Sequence, residues 1–259
     1  MKMQLIDTHC HLYLSAFSED IRSVIERAAA AGVEQLLLPA IDSSELNNLL
    51  DLEKQWPQKC FAMMGLHPCS VKENYREELA LVKDWLSRRP FIAIGEIGLD
   101  YYWDKTFIRE QQEVFNQQIE WALQYGKPIV IHSRNSIVDC IDIVKQHQRG
   151  NLQGIFHCFS DDFSSAEKIM DLGFFMGIGG VITYKNSGLA EVVKNIPLEY
   201  LVLETDAPYL TPVPFRGKRN ESSYLKYIAA RLAEVKNVPV EEVAAVTTAN
   251  AQKIFGISI

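Results

Sequence analysis

Met3-Gln4-Leu5-Ile6-Asp7-Thr8-His9-Cys10-His11 begins as a short apolar run and ends in an acid, a hydroxyl and two imidazoles. Met3–Ile6 reads as a first strand buried on both faces. In a doubly wound dinucleotide-binding sheet, a glycine fingerprint follows the first strand. Here Asp7-Thr8-His9-Cys10-His11 stands in that place, which favours a closed barrel with its chemistry at the strand ends. Side chains alternate along a strand, so His9 and His11 face the same way and can point at one cation.

Working outward, seven further apolar runs follow: Val33–Leu38, Phe61–Met64, Phe91–Ile94, Ile129–Ile131, Gly154–Phe156, Phe174–Met176 and Tyr200–Leu203. Amphipathic stretches separate them. Ser18–Ala31, Ser43–Gln55, Thr106–Tyr125 and Ser164–Leu172 read as helices, with Ser18 and Ser43 as N-caps and Gly32, Gly126 and Gly173 just past helix ends. Ser222–Lys236 and Val240–Phe255 read as two closing helices. Strands alternating with helices signal βαβ units and a parallel sheet. Eight such strands predict an α/β fold, a (β/α)8 TIM barrel of the metallo-dependent hydrolase type, as a single domain over residues 1–259; that length suits a barrel of about 250 residues.

Composition narrows the partners. The net charge of −7 argues against a protein that coats long duplex DNA, because non-specific affinity comes from Lys and Arg neutralising phosphates. It leaves room for an enzyme whose cleft cations reverse the local field. The five cysteines, Cys10, Cys60, Cys69, Cys140 and Cys158, are odd in number and lack a Cys-x-x-Cys pair, as expected of reduced thiols. Met1–Asp7 holds no long apolar signal region, and no stretch approaches the ~20 apolar residues of a membrane span. A soluble, cytoplasmic monomer with no membrane partner is expected.

Five of the six histidines fall at or just past a predicted strand end: His9, His11, His67, His132 and His157. So do Glu96, Asp100, Glu204 and Asp206. Parallel crossovers bring all these ends to one face of a barrel. On this reading His9, His11 and Asp206 would hold one cation, His132 and His157 a second, and the two oxygens of Glu96 would bridge them. Mixed imidazole and carboxylate ligands suit Zn or Mn, with Mg less well matched to so many nitrogens. His147, within a helix, is read as solvent-facing and has no assigned role.

Asp7-Thr8-His9-Cys10-His11, Gly65-Leu66-His67-Pro68, Gly95-Glu96-Ile97-Gly98-Leu99-Asp100-Tyr101, His132-Ser133-Arg134, His157-Cys158-Phe159-Ser160, Leu203-Glu204-Thr205-Asp206-Ala207-Pro208-Tyr209-Leu210 and Arg216-Gly217-Lys218-Arg219-Asn220-Glu221 together resemble the signatures of the TatD family of metal-dependent deoxyribonucleases. The resemblance covers nearly the whole chain, in order and spacing. One departure is Ser222, where the family usually has proline. The resemblance implies an amidohydrolase-superfamily barrel with a dinuclear site on the six ligands above, and 3′→5′ exonuclease activity on DNA ends. Superfamily members that bridge their cations with a carboxylated lysine differ, since Glu96 fills that place here.

The expected reaction is hydrolysis by a water that two divalent cations (Zn, Mn or Mg) activate. Asp206 would take the water's proton. Glu204 would hold a ligand imidazole or a transient third cation, and His67 would position a phosphate or donate to a leaving oxygen. Arg134 and the Arg216, Lys218 and Arg219 loop would contact phosphates of single-stranded or frayed DNA. Tyr101, Tyr102 and Trp103 would stack on terminal bases. Two other readings stay open: the same metals acting on another ester or amide, such as an aminoacyl-tRNA, or a barrel that binds nucleic acid without turnover.

Overall fold

The computed structural model describes residues 3–258. Residues 1, 2 and 259 of the expected single domain, and with them the start of the segment read as lacking a signal region, lie outside the described residues. The strands are β1 (Leu5–Asp7), β2 (Val33–Leu38), β3 (Cys60–Ala62), β4 (Ile94–Asp100), β5 (Ile129–Arg134), β6 (Gly154–Phe156), β7 (Phe175–Ile178) and β8 (Leu201–Leu203). The helices are α1 (Ile21–Ala30), α2 (Leu46–Gln55), α3 (Tyr75–Arg88), α4 (Ile108–Tyr125), α5 (Ile137–His147), α6 (Phe163–Asp171), α7 (Leu189–Asn195), α8 (Leu225–Lys236) and α9 (Val240–Phe255). β1 to β3 pair in parallel in chain order, as do β4 to β8.

Two seams close these arcs into the TIM barrel. At one, Met64 bridges Ile94 in parallel and Gly95 N donates to Met64 O at 3.0 Å. At the other, Thr8 N donates to Leu203 O at 3.1 Å and Asp206 N to His9 O at 2.9 Å. Inside, Ile6, Leu37, Met63, Ala93, Val130, Ile155, Phe175 and Val202 form one buried cluster, with one residue from each strand or its edge. Ala251, Ile254 and Phe255 of α9 join the same cluster and close the barrel floor. Near that floor, Gln35 Nε2 donates to Ser258 O at 2.8 Å. A larger cluster binds the apolar faces of the helices to the outward side of the strands. Burial thus fills the barrel from the bottom and leaves its other mouth to polar side chains.

Several boundaries differ from the sequence expectation. The fourth strand is not Phe91–Ile94 but Ile94–Asp100, so Glu96 and Asp100 lie within it. Gly95, Glu96 and Gly98 interrupt the apolar run, but the ladder is built from backbone: Gly98 pairs with His132 and Asp100 with Arg134. Gly98 takes φ +138°, and a Cβ there would meet His132 O at 2.1 Å, so this crossing requires glycine. β5 likewise runs on to Arg134, carrying His132 inside the strand. α1 and α2 start later than Ser18 and Ser43 suggested. Ser18 ends a 3-10 turn, Ser15–Phe17, and Ser43 Oγ donates across to Glu78 of α3 at 2.6 Å. Ser222 begins a 3-10 turn that leads into α8. His147 is half-buried, bonded to Asn116 at 2.7 Å and paired with Glu120 at 2.8 Å. No helix among the described residues is long and apolar enough to cross a membrane.

Candidate metal centre

At the open mouth Glu96 is the hub. Its Oε2 lies 3.1 Å from His9 Nε2 and 3.6 Å from His11 Nε2. Its Oε1 lies 2.9 Å from His132 Nδ1, 2.8 Å from His157 Nε2 and 3.3 Å from His67 Nε2. Asp206 Oδ1 completes the first group, 3.7 Å from His9 Nε2 and 3.5 Å from His11 Nε2. One carboxylate thus turns one oxygen to each of two imidazole sets, and the six residues singled out as ligands meet in one place. Three overlapping groups have the spacing of a cation site: His9–His11–Asp206, His9–Glu96–His157 and His67–Glu96–His132.

The placement of protons at His11 shows that this donor set fits a cation. Tyr13 OH donates its only proton to Pro39 O at 2.6 Å. His11 Nδ1, 3.0 Å from that hydroxyl, must therefore donate to it. The Nε2 of neutral His11 then carries a lone pair and faces His9 Nε2 at 3.2 Å together with two carboxylate oxygens. A lone pair turned on two carboxylate oxygens in a buried pocket is satisfied by a positive ion. The surrounding imidazoles also set the charge of Glu96. Burial pushes its pKa up, but His157, His67 and His9 outweigh burial and hold it well below the usual carboxylate range. Burial alone pushes His157 down, and Glu96 and Glu204 more than reverse it. His9 is lowered, chiefly by burial.

Outer partners orient the imidazoles, as is usual of metal-bound histidines. Glu204 Oε1 lies 3.5 Å from His157 Nδ1 and accepts from Cys158 N. Gly177 makes room for it, since a Cβ there would stand 2.1 Å from Glu204 Oε2. Asp100 Oδ2 lies 2.9 Å from His132 Nε2. The Asp7 carboxylate accepts from Thr205 N and Oγ1 and so ties β1 to the loop bearing Asp206. Asp206 and Cys158 sit at φ +56° and +49°, left-handed conformations that cost a side-chain-bearing residue of order 1 kcal/mol and cluster at functional sites. The roles of Asp100 and Tyr13 were not assigned from sequence. For Asp100 the signal was present, because Glu96, Gly98 and Asp100 alternate along one face of a strand.

His67 is at the site in a different capacity. Its Nδ1 accepts from Cys69 N at 3.0 Å, so the proton of a neutral ring sits on Nε2, which faces the cleft. That atom is a donor, which suits a substrate oxygen better than a cation.

The residues expected to grip substrate divide. Arg134, Arg216 and Lys218 are exposed; Arg134 lies over the Tyr102 ring at 4.9 Å and Arg216 over the Tyr184 ring at 3.9 Å. Tyr102 and Trp103 are 50% and 75% exposed. Two expectations need correction. Tyr101 turns inward, donating to Asp139 at 2.9 Å and accepting from Gln112 at 2.9 Å, so its ring is not free to stack. Arg219 donates twice to Asp20, at 2.8 Å each, and once to Ala16 O at 2.6 Å. With Glu221, which Arg27 clasps at 2.6 Å, it latches the loop after β8 onto α1 and its lead-in turn.

Fold and site together define a metal-dependent hydrolase of the TIM-barrel type. The chain belongs to the TatD family: the family model described as TatD related DNase matches residues 6–256. It is 40% identical over 255 residues to YabD of Bacillus subtilis, covering 98% of this chain and 100% of that protein. It is 34% identical over 261 residues to TatD of Mycobacterium tuberculosis, covering 98% of each. Both relatives carry the description uncharacterized metal-dependent hydrolase. Among solved structures, the TatD homologue YJJV of Escherichia coli superposes with a TM-score of 0.94 at 32% identity, covering 100% of both chains.

Proposed function

We propose that this hydrolase is a phosphodiesterase that removes nucleotides from the 3′ ends of single-stranded or frayed DNA, using two divalent cations, Zn, Mn or Mg. The observation that carries the two-cation reading is Glu96, whose two oxygens each serve a separate set of imidazoles. His9, His11 and Asp206 would hold one cation, His132 and His157 the other, with Glu96 between. When bound, the cations supply an acidified water and charge neutralisation at the phosphoryl oxygens.

The remaining steps belong to the chain. A water in line with the leaving 3′ oxygen gives its proton to Asp206, the ligand whose side chain is 14% exposed beside buried histidines. The water oxygen bonds to phosphorus as the P–O3′ bond breaks, and His67 Nε2–H donates its proton to the departing 3′ oxygen. Glu204 keeps His157 in its orientation. Arg134 meets a non-bridging oxygen of the scissile phosphate, and Arg216 and Lys218 meet neighbouring phosphates. Among the described residues neither of these two forms an ion pair, unlike Arg219. Tyr102 and Trp103 offer faces to unpaired bases, and stacking tolerates any base. The DNase description of the family model is consistent with this reading.

The test is one panel: apo-protein, several divalent metals, and labelled single-stranded DNA, double-stranded DNA, RNA, a generic phosphodiester and an aryl ester. Metal-dependent shortening of single-stranded DNA from its 3′ end is expected. Turnover of the aryl ester with none of the phosphodiesters would overturn the proposal in favour of ester or amide hydrolysis, and turnover of nothing would leave a binding barrel.

A further inference from the structure

The side chain of Asp100 is spent in two directions. Oδ2 lies 2.9 Å from His132 Nε2. Oδ1 accepts the backbone N–H groups of Tyr102 and Trp103, both at 2.9 Å. The residue is 1% exposed, and its own N–H is held by Gln111 Oε1 at 2.9 Å. The two things it holds are also joined elsewhere: Tyr101 N donates to Arg134 O at 2.9 Å, and the Arg134 guanidinium lies over the Tyr102 ring. We infer that Asp100 is a positioning residue that couples the exposed Tyr102–Trp103 loop to the orientation of His132, and through it to the second cation.

The chemistry separates the two halves of that role. Capping two backbone N–H groups needs only an oxygen acceptor, which asparagine supplies as well. Accepting a proton from His132 Nε2, so that Nδ1 keeps its lone pair toward Glu96, needs the second oxygen. A carboxylate is required because both are done at once. Ordering the loop on a base should then favour the second cation, and the cation should order the loop, since a coupling between two sites is reciprocal. The inference rests on the two-cation reading of the site.

The test uses cation titration calorimetry with Zn or Mn and amide hydrogen exchange. In the wild-type protein, cation loading should slow exchange at the Tyr102 and Trp103 amides. Asp100→Asn should keep those amides protected but lower the affinity of the second cation roughly 10- to 100-fold, the usual effect of removing an outer partner of a metal-bound histidine. The first cation, on His9, His11 and Asp206, should bind as before. Asp100→Ala should lose both the loop protection and the second-cation affinity. Two cations bound by Asp100→Asn with wild-type affinity would overturn the coupling and leave the two-cation reading standing, as would wild-type amides indifferent to loading. Equal weakening of both cations in Asp100→Ala would show a merely structural residue and overturn it too. Fewer than two cations on the wild-type chain would remove both readings together.

Discussion

Arg216 and Arg219 lie three residues apart in one basic loop, yet their surroundings predict different consequences for their loss. Arg219→Ala removes the paired bonds to Asp20, the bond to Ala16 O, and a guanidinium 4.6 Å above the Phe17 ring. The two charged side chains are about a third exposed, 33% and 34%, so screening keeps the ion pair near the ~0–1 kcal/mol of an exposed pair. The ring contact adds about 0.5–1 kcal/mol. The total, about 0.5–2 kcal/mol, corresponds to a fall in Tm of roughly 1–6 °C for a chain of this size. Arg216→Ala removes an exposed guanidinium resting on Tyr184, a ring contact again of about 0.5–1 kcal/mol with no ion pair added to it, and should lower Tm less, by roughly 1–3 °C. It should also raise KM for an oligonucleotide and lower the slope of log affinity against log salt by roughly one, as one phosphate contact is lost. The assay is a pair of measurements on each variant: a thermal melt, and oligonucleotide KM across a salt series, with a small aryl phosphodiester as control. A flattened salt slope with an unchanged melt in Arg219→Ala would refute the latch and return that residue to the substrate.

Other outcomes follow from the same geometry. Glu96→Gln should leave the far-UV CD spectrum intact, lower the bound cations measured by elemental analysis from two per chain, and abolish turnover; near-normal activity would refute the bridge. Burial raises the pKa of Glu221, but the hydrogen bonds from Arg27 and Ser223 and the charges of Arg27 and Arg219 together outweigh it and hold the group below its ordinary range. Its stabilisation is therefore present above the ordinary glutamate pKa and lost as pH falls through the lowered value, so Arg27→Met should cost Tm at pH 7 and much less at strongly acid pH. A Tm deficit independent of pH would refute the pairing. Burial pushes the Cys60 and Cys140 thiols up to about 12 and those of Cys10 and Cys158 well above the ordinary value. Alkylation of the native protein near pH 8 should thus label the half-buried Cys69 well before Cys10, as read by mass spectrometry, and fast labelling of Cys10 would contradict the enclosure of that thiol beside the site.

What the sequence determined by itself was the cycle and the grouping of the polar side chains that meet at one mouth of the barrel. A parallel barrel strand is buried on both faces, so Val33–Leu38 and Ile129–Ile131 show as apolar runs. Parallel crossovers send every strand end to one side, so His9, His11, His132, His157 and Asp206 can be grouped without knowing a single distance. The extent of β4 was hidden because backbone bonds, which Gly95 and Gly98 make as well as any residue, decide it. The duties of the polar side chains around the site were hidden for a different reason. Arg219 meets Asp20 across 199 residues, Tyr101 meets Asp139 across 38, and Asp100 meets His132 across 32. A charge or hydroxyl looks the same in a sequence whether it is free to meet substrate or already paired. Only the fold, by bringing a partner within hydrogen-bond reach, decides which.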